Sequence, residues 1–212
     1  GAMSAPSGHT GPLADLRVID LSTVLAGPNC ARYLADFGAD VIKVERPVGG
    51  DSLRNMAWRD PRDGEGLWWK LVNRNKRTIA LDLKNTADLA LLRSLVAEAD
   101  VLVENFRPGT LERLGLAPDD LLALNPTLVI TRVTGFGQTG PLSSMQAYAH
   151  LINAFSGMMD LERGGIAAPR ASNLQAADVL AGAHAFGSIC AALLRRLRTG
   201  QGAYVDVSML EC

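Results

Sequence analysis

Cysteine is scarce and scattered. Cys30, Cys190 and Cys212 have no CxxC spacing and no histidine at ligand distance in the chain. An odd count in unrelated contexts fits reduced thiols, so the expected compartment is the cytoplasm. An excess of charge of either sign is also missing. Lys+Arg number 21 and Asp+Glu 22, for a formal charge of −1 over 212 residues. With a pI near 6.3, bulk positive charge for nucleic-acid binding is absent. No uninterrupted apolar run reaches the ~18 residues that a membrane span needs. No GxGxxG, Walker loop or HExxH occurs. His9, His150 and His184 are dispersed, so no metal site is expected.

What is present is an ordinary globular composition, 48% hydrophobic and 20% charged. Gly1 to Pro12 reads as a cloning remnant plus a flexible leader, leaving 13–212 as one domain. Six short β-rich runs follow: Leu16–Leu21, Asp40–Glu45, Thr78–Leu83, Val101–Phe106, Leu128–Val133 and Ala203–Met209. Between them lie helical segments. Asn29–Phe37 has Pro28 at its first position and Gly38 past its end. Thr86–Ala99 has Thr86 as the expected cap. Short helices are expected around Gly109–Leu114 and Pro118–Leu124, and a longer one from Tyr148 to Met159. A Gly/Ala/Pro loop then leads to a small-residue helix, Val179–Arg198, expected to be central and buried. The strands are continuous Val/Ile/Leu runs. That pattern predicts an α/β fold with an open, mostly parallel six-stranded sheet and helices on both faces.

In such sheets ligands sit beyond the carboxyl ends of the strands. The candidate site is therefore the set of loops at Ser22–Gly27, Glu45–Asp51, Asn105–Gly109 and Gly135–Pro141. Arg46, Arg54, Arg74, Lys76, Arg77, Lys84, Arg107 and Arg113 fall near those loops. Singly each reads as a solvated surface charge; together they could neutralise a phosphorylated ligand. Trp58, Trp68 and Trp69 read as packing. Asp178 sits where the long helix begins. It is either a helix cap or a carboxylate fixed at a helix N-terminus, ionised and able to act as nucleophile or base.

Six phrases occur in order: Asp20–Pro28, Leu34–Glu45, Asn75–Lys84, Asp100–Gly109 with Glu112–Leu116, Thr134–Pro141 and Thr199–Met209. Together they resemble the class III CoA-transferase family, which includes formyl-CoA and carnitine CoA-transferases and α-methylacyl-CoA racemase. The resemblance implies a Rossmann-like domain that takes coenzyme A or an acyl-CoA as substrate, with no separate cofactor. It implies that Val24, Leu25 and Ala26 meet the ligand through backbone atoms, and that Arg46, Lys84, Asn105 and Arg113 lie along it. It places the catalytic aspartate at Asp178, forming a covalent aspartyl intermediate with CoA passing to a free carboxylic acid. Racemases of the family carry a His-Asp pair where this chain has Tyr148 and Ala149. His150 is out of register and reads as structural, which disfavours the alternative of an acyl-CoA racemase using Asp178 as base. Family members run to about twice this length, so the chain is expected to be an N-terminal half. A further alternative is then a non-catalytic CoA-binding subunit. A homodimer or a C-terminal partner chain is expected to cover the apolar helix and the last strand.

Overall fold

The computed structural model describes residues 10–164, 168 and 175–212. Six parallel strands form one sheet: β1 (Arg17–Asp20), β2 (Asp40–Glu45), β3 (Lys76–Ala80), β4 (Val101–Glu104), β5 (Val129–Thr134) and β6 (Ala203–Ser208). Their order is β3-β2-β1-β4-β5-β6. The chain direction of travel thus reverses between β1 and β4. Loops leaving those two adjacent strands diverge there and open a crevice.

Helices α1 (Ala26–Asp36) and α8 (Ala176–Thr199) pack together on one face, with α6 (Ala149–Phe155) beside them. Helices α3 (Thr86–Ala97), α4 (Thr110–Arg113) and α5 (Pro118–Leu124) cover the other. Helix α2 (Leu67–Asn73) lies in the β2–β3 connection, and α7 (Met158–Glu162) follows α6. Successive side chains of a strand point to opposite faces. Here the alternation also sorts by size. Val18, Val101, Val103, Val129 and Val133 face α1 and α8, whereas Ile19, Leu102 and Ile130 face α3 and α5. The short valines match a helix whose inward positions are Ala177, Ala181, Gly182 and Ala185.

That match lets α8 approach α1 closely. A β-carbon on Gly182 would stand 3.0 Å from the Ala26 carbonyl oxygen and 2.7 Å from Asn29 Nδ2. The helix is nevertheless not the wholly buried rod expected from its composition. Val179, Leu180, Leu194 and Leu197 are exposed on its outer side. At 24 residues it is also long and apolar enough, by length and composition, to cross a membrane, while its inner side packs on α1 and the sheet.

Several expected boundaries move. Helix α1 begins at Ala26, so Pro28 sits in its first turn rather than at its first position. It still has no bond to lose, because first-turn N–H groups lack intrahelical partners. Strand β3 starts two residues early, at Lys76, because two cations that look like surface residues continue the pairing with β2. Asn85 caps α3, accepting from the N–H groups of Ala87 and Asp88, and Thr86 is the first helical residue. The single helix expected over Tyr148–Met159 is two, divided at Gly157, whose φ of 82° ends α6. Thr10 and Gly11, placed in the leader, lie against Phe37 and Gly38; the start of the leader and most of the Gly/Ala/Pro loop lie outside the described residues.

Gly182→Val should destabilise the protein by about 1–3 kcal/mol through overpacking between α1 and α8. Gly187→Ala on the same helix, where nothing lies within 4 Å of an added β-carbon, should be neutral or stabilising by up to about 1 kcal/mol. Urea unfolding of the two variants checks the contrast.

Candidate active site

The loop after β1 is built on buried ions. The Lys43 and Asp51 side chains are both fully buried and 3.1 Å apart. Lys43 Nζ also donates to the Ser22 carbonyl at 2.8 Å. The Asp51 carboxylate accepts from Leu53 N–H at 3.0 Å and from Val24 N–H at 3.2 Å. Val24 has a φ of 66°. A β-branched residue is rare in this left-handed region and persists only where its surroundings over-determine it. From the other side, the Asn105 side chain clamps Thr23, accepting from its N–H at 2.8 Å and donating to its carbonyl at 2.7 Å.

A second buried cation lies below. Lys76 Nζ satisfies its three protons on Asp20 Oδ2 (2.9 Å), the Pro28 carbonyl (2.8 Å) and Asn73 Oδ1 (2.9 Å). Burial pushes this ammonium down to about 8, against the pull of Asp20. Burial pushes the Asp20 carboxyl up, but Lys76, Lys43 and the Ser22 hydroxyl bring it below the usual carboxylate range. Lys76 is therefore not the solvated charge expected. Arg54 pairs with Glu45 and Glu65 and lies over Trp69, Arg74 pairs with Asp36, and Arg77 with Asp40. These cations organise the Asp51–Asn75 segment and its joints to the sheet.

Above the loop opens a cleft of about 500 Å³. Thr23 to Ala26 form one wall and Asn105 to Pro108 another, with Met56, Ala57 and Trp68 beside them. The segment Ser143 to His150 except Ser144, with Gln175 and Asp178, closes the remaining side. A smaller cleft of about 310 Å³, lined by Arg46, Gly50, Asp51, Ser52, Leu81 and Leu83, shares Thr23 and Phe106 with it. The structure thus brings Val24, Leu25, Ala26, Asn105 and Asp178 into one cavity and puts Arg46 in the next. Lys84 and Arg113 line neither. Trp68, expected as packing, faces the cleft.

Asp178 is not a cap. Gln175 occupies the N-cap position, α8 has no side-chain capping bond, and Asp178 stands in the first turn. Ala177 and Ala181 on either side of it face the core, which turns Asp178 toward the cleft. Burial raises its carboxyl to about 6, moderated by His150. It is therefore a poised carboxylate rather than one held firmly ionised, as the helix terminus alone would imply. His150, expected to be structural, is exposed and lines the same cavity. At the rim Arg107 donates to the Gln146 side-chain oxygen, and Gln146 donates to the Tyr148 hydroxyl. Sequence reasoning misses Lys43, reaches Asp51 only as the end of a candidate loop, and reads His150 as structural. Among the described residues no three His, Cys, Asp or Glu side chains gather into a metal-binding group.

The arrangement offers a partly buried carboxylate facing an open cleft, with the backbone held by Asp51 and Asn105 on another side. Such a group can attack an electrophilic carbon or take a proton. Asp51→Ala leaves the Lys43 ammonium buried without its carboxylate and should lower stability by about 3–5 kcal/mol. Lys43→Met/Asp51→Leu should regain much of that in urea unfolding, while amide exchange at Val24 stays faster than in the parent. Asp178→Asn should show the opposite sign. The folded carboxyl titrates near 6 and the unfolded one near 3.8, so ionisation weakens the fold as pH rises through 6. The Asn variant should be more stable than the parent at pH 8, by on the order of 2 kcal/mol, and equal to it below about pH 4.

Residues 13–212 match the profile of CoA-transferase family III. The chain is 42% identical over 203 residues to the succinyl-CoA–L-malate CoA-transferase beta subunit of Chloroflexus aurantiacus, covering 94% of this chain and 49% of the relative. It is 42% identical to the succinate–glutarate CoA-transferase of Agrobacterium fabrum (94% and 51%) and 41% to the acetyl-CoA:oxalate CoA-transferase of Acetobacter aceti (98% and 53%). The chain thus spans about half the length of these curated relatives. A crystal structure of a CAIB/BAIF family protein from Brucella suis superimposes with a TM-score of 0.90 at 38% identity, covering 95% of this chain and 54% of that one. A Mycobacterium tuberculosis protein does so at 0.88 and 35% (96% and 57%). With the profile matched across almost its whole length, the chain belongs to CoA-transferase family III.

Proposed function

We propose that this chain is the CoA-binding, nucleophile-bearing part of an enzyme that moves CoA from an acyl-CoA to a free carboxylic acid. The observation that carries the reading is Asp178: desolvated, uncapped and facing the cleft formed by the β1 loop. The pantetheine arm runs along Val24, Leu25 and Ala26 beside Asn105, and the thioester lies against Asp178. The smaller cleft takes the nucleotide, with Arg46 at its mouth. Lys84 and Arg113 act as cations toward a ligand that continues past the rim.

Chemically, the Asp178 carboxylate attacks the thioester carbon. The C–S bond breaks, giving a mixed anhydride and CoA thiolate. The thiolate attacks the aspartyl carbonyl, the donor acid leaves as carboxylate, and an enzyme–CoA thioester remains. The acceptor carboxylate reverses both steps, and no net proton is exchanged. Each step splits one difficult displacement into two easier ones, provided water is kept out. The relatives' names include the dicarboxylic acids succinate, malate, glutarate and oxalate, with acetyl-CoA as the other partner in the oxalate enzyme. We take the acid substrate to be of that class, with Arg107 and Gln146 at the rim offering donors to its second carboxylate. Relatives named as alpha and beta subunits, together with the exposed Val179, Leu180, Leu194 and Leu197, support a second chain or a second copy against α8. The free thiols support a reducing, cytoplasmic setting.

A racemase reading has one observation in its favour: His150 and Asp178 share the cleft, and proton transfer at a carbon centre uses two acid–base groups. The complete protein that carries this chain should, with acyl-CoA and hydroxylamine, give a hydroxamate at Asp178 that Asp178→Ala lacks. Turnover should fall at least about 1,000-fold in that variant. Undiminished turnover in Asp178→Ala would sink the transferase reading. Solvent deuterium entering the α-carbon without acceptor acid would favour the racemase.

A further inference from the structure

The large cleft contains one cation that binding of CoA itself leaves without a partner. Around the carboxyl ends of the strands most cations are spent on acids: Lys43 on Asp51, Lys76 on Asp20, Arg54 on Glu45 and Arg132 on Glu104. Arg107 is not. It is exposed, and among the described residues it is the one lysine or arginine lining the cavity of Asp178. Its guanidinium ends on a neutral group, the Gln146 side-chain oxygen, and Gln146 in turn donates to the Tyr148 hydroxyl at 2.9 Å. The backbone under this relay is fixed. A β-carbon on Gly135, just past the end of β5, would stand 2.2 Å from that of Ala147, so the chain between Gln146 and Tyr148 presses on the strand end. Thr134 precedes that glycine and is 9% exposed. Of the buried side-chain polar atoms without a hydrogen-bond partner among the described residues, its Oγ1 is the one on a residue lining this cleft. Two residues past the last β4–β5 pair, Glu104 with Arg132, come Phe106 and Thr134, and Arg107 is next. A charged fork and an unused hydroxyl are thus placed on the β4–β5 side of the cleft, away from the β1 loop.

We propose that Arg107 and Thr134 form a carboxylate subsite that selects dicarboxylic over monocarboxylic acids, and that donor and acceptor acids occupy it in turn. The inference rests on Asp178 being the nucleophile and on the β1 loop holding the pantetheine arm. That arm is uncharged, and the phosphates belong to the nucleotide in the smaller cleft. The anion that meets Arg107 is therefore carried by the acid. A monocarboxylic acid has none to offer, because its one carboxyl carbon is bound to sulfur in the donor or to the Asp178 oxygen in the anhydride. A dicarboxylic acid keeps its second carboxylate free through every step. A guanidinium presents parallel N–H donors that match the two oxygens of a carboxylate. With a neutral amide as its protein partner, Arg107 keeps its charge for that ligand. Thr134 adds a hydroxyl donor, brought into the cleft by a turn about χ1 from one staggered well to the next. CoA stays on Asp178 between the two half-reactions. The departing acid and the incoming one therefore use the same two residues and compete for them.

The test uses the complete protein and pairs of acids of equal chain length: oxalate with acetate, succinate with butyrate, glutarate with valerate. Each is offered as acceptor and, as its CoA monothioester, as donor. The parent's kcat/KM should favour the dicarboxylic member of its best pair at least about tenfold. Arg107→Met should lower that value about 30-fold, for the free acid and its CoA ester alike, against about threefold or less for the monocarboxylic member. Arg107→Lys, which keeps the charge but not the fork, should fall between parent and Met variant. Thr134→Val should cost the dicarboxylic acid about fivefold while its melting temperature stays at or above the parent's, because a buried hydroxyl without a partner is removed. Thr134→Ser should recover most of that loss. A parent without the preference would overturn the proposal, as would an equal loss for both members of the pair in Arg107→Met. Undiminished turnover in Thr134→Val would remove Thr134 from the subsite. The hydroxamate experiment judges Asp178 separately. An adduct with the preference unmoved by Arg107→Met refutes the subsite, while a preference lost in that variant without any adduct in the parent refutes the nucleophile.

Discussion

The site depends on one buried contact, the ammonium of Lys43 against the carboxylate of Asp51. Two charges taken out of water repay their desolvation only when their remaining hydrogen-bonding capacity is met. Here the Ser22 carbonyl and the N–H groups of Val24 and Leu53 meet it. Those groups are backbone, so satisfying the pair also sets the path of the chain. The loop after β1 is bent through an unfavourable conformation at Val24 because the carboxylate needs its N–H there. Asn105 applies the same constraint from β4. The cleft's rigid wall is thus a by-product of neutralising a cation.

Much of this was legible in the chain. Continuous Val/Ile/Leu runs separated by helical stretches gave a parallel sheet, and all six strands are present. The loops at strand carboxyl ends do line the two clefts. Asp178 could be singled out because an acidic residue opening a small-residue helix has few uses. What could not be read was the fate of the cations. Lys43, Lys76 and Arg77 lie in or beside strands, and sequence alone does not distinguish a lysine that faces water from one that reaches beneath a loop. Lys76 needed acceptors from Asp20, Pro28 and Asn73, contributed by three distant segments. The signal for Lys43 was present, as a lone lysine between the apolar Ile42 and Val44 in mid-strand, but its partner is set by tertiary structure.

Asp178 shows the same limit at finer grain. Position predicted a carboxylate kept ionised by a helix terminus. The observed helix begins at Ala176, three residues earlier than expected, and burial dominates the residue's titration. Local geometry near a helix end is worth a few tenths of a kcal/mol to about one, whereas removal from water shifts a carboxyl by more than that. His150 reads as structural from the sequence because register with relatives says nothing about which face of a short helix looks into a cavity.

The two walls of the large cleft have separate origins. One is bound to the Lys43–Asp51 and Asn105–Thr23 contacts, contributed by β1, β2 and β4. The other, Ser143 to His150, comes from the connection after β5 and takes no part in those contacts. Substitutions on the second wall can therefore reshape what lies next to Asp178 without disturbing the first. A scaffold divided in this way lets one wall of the cleft diverge while the other is kept.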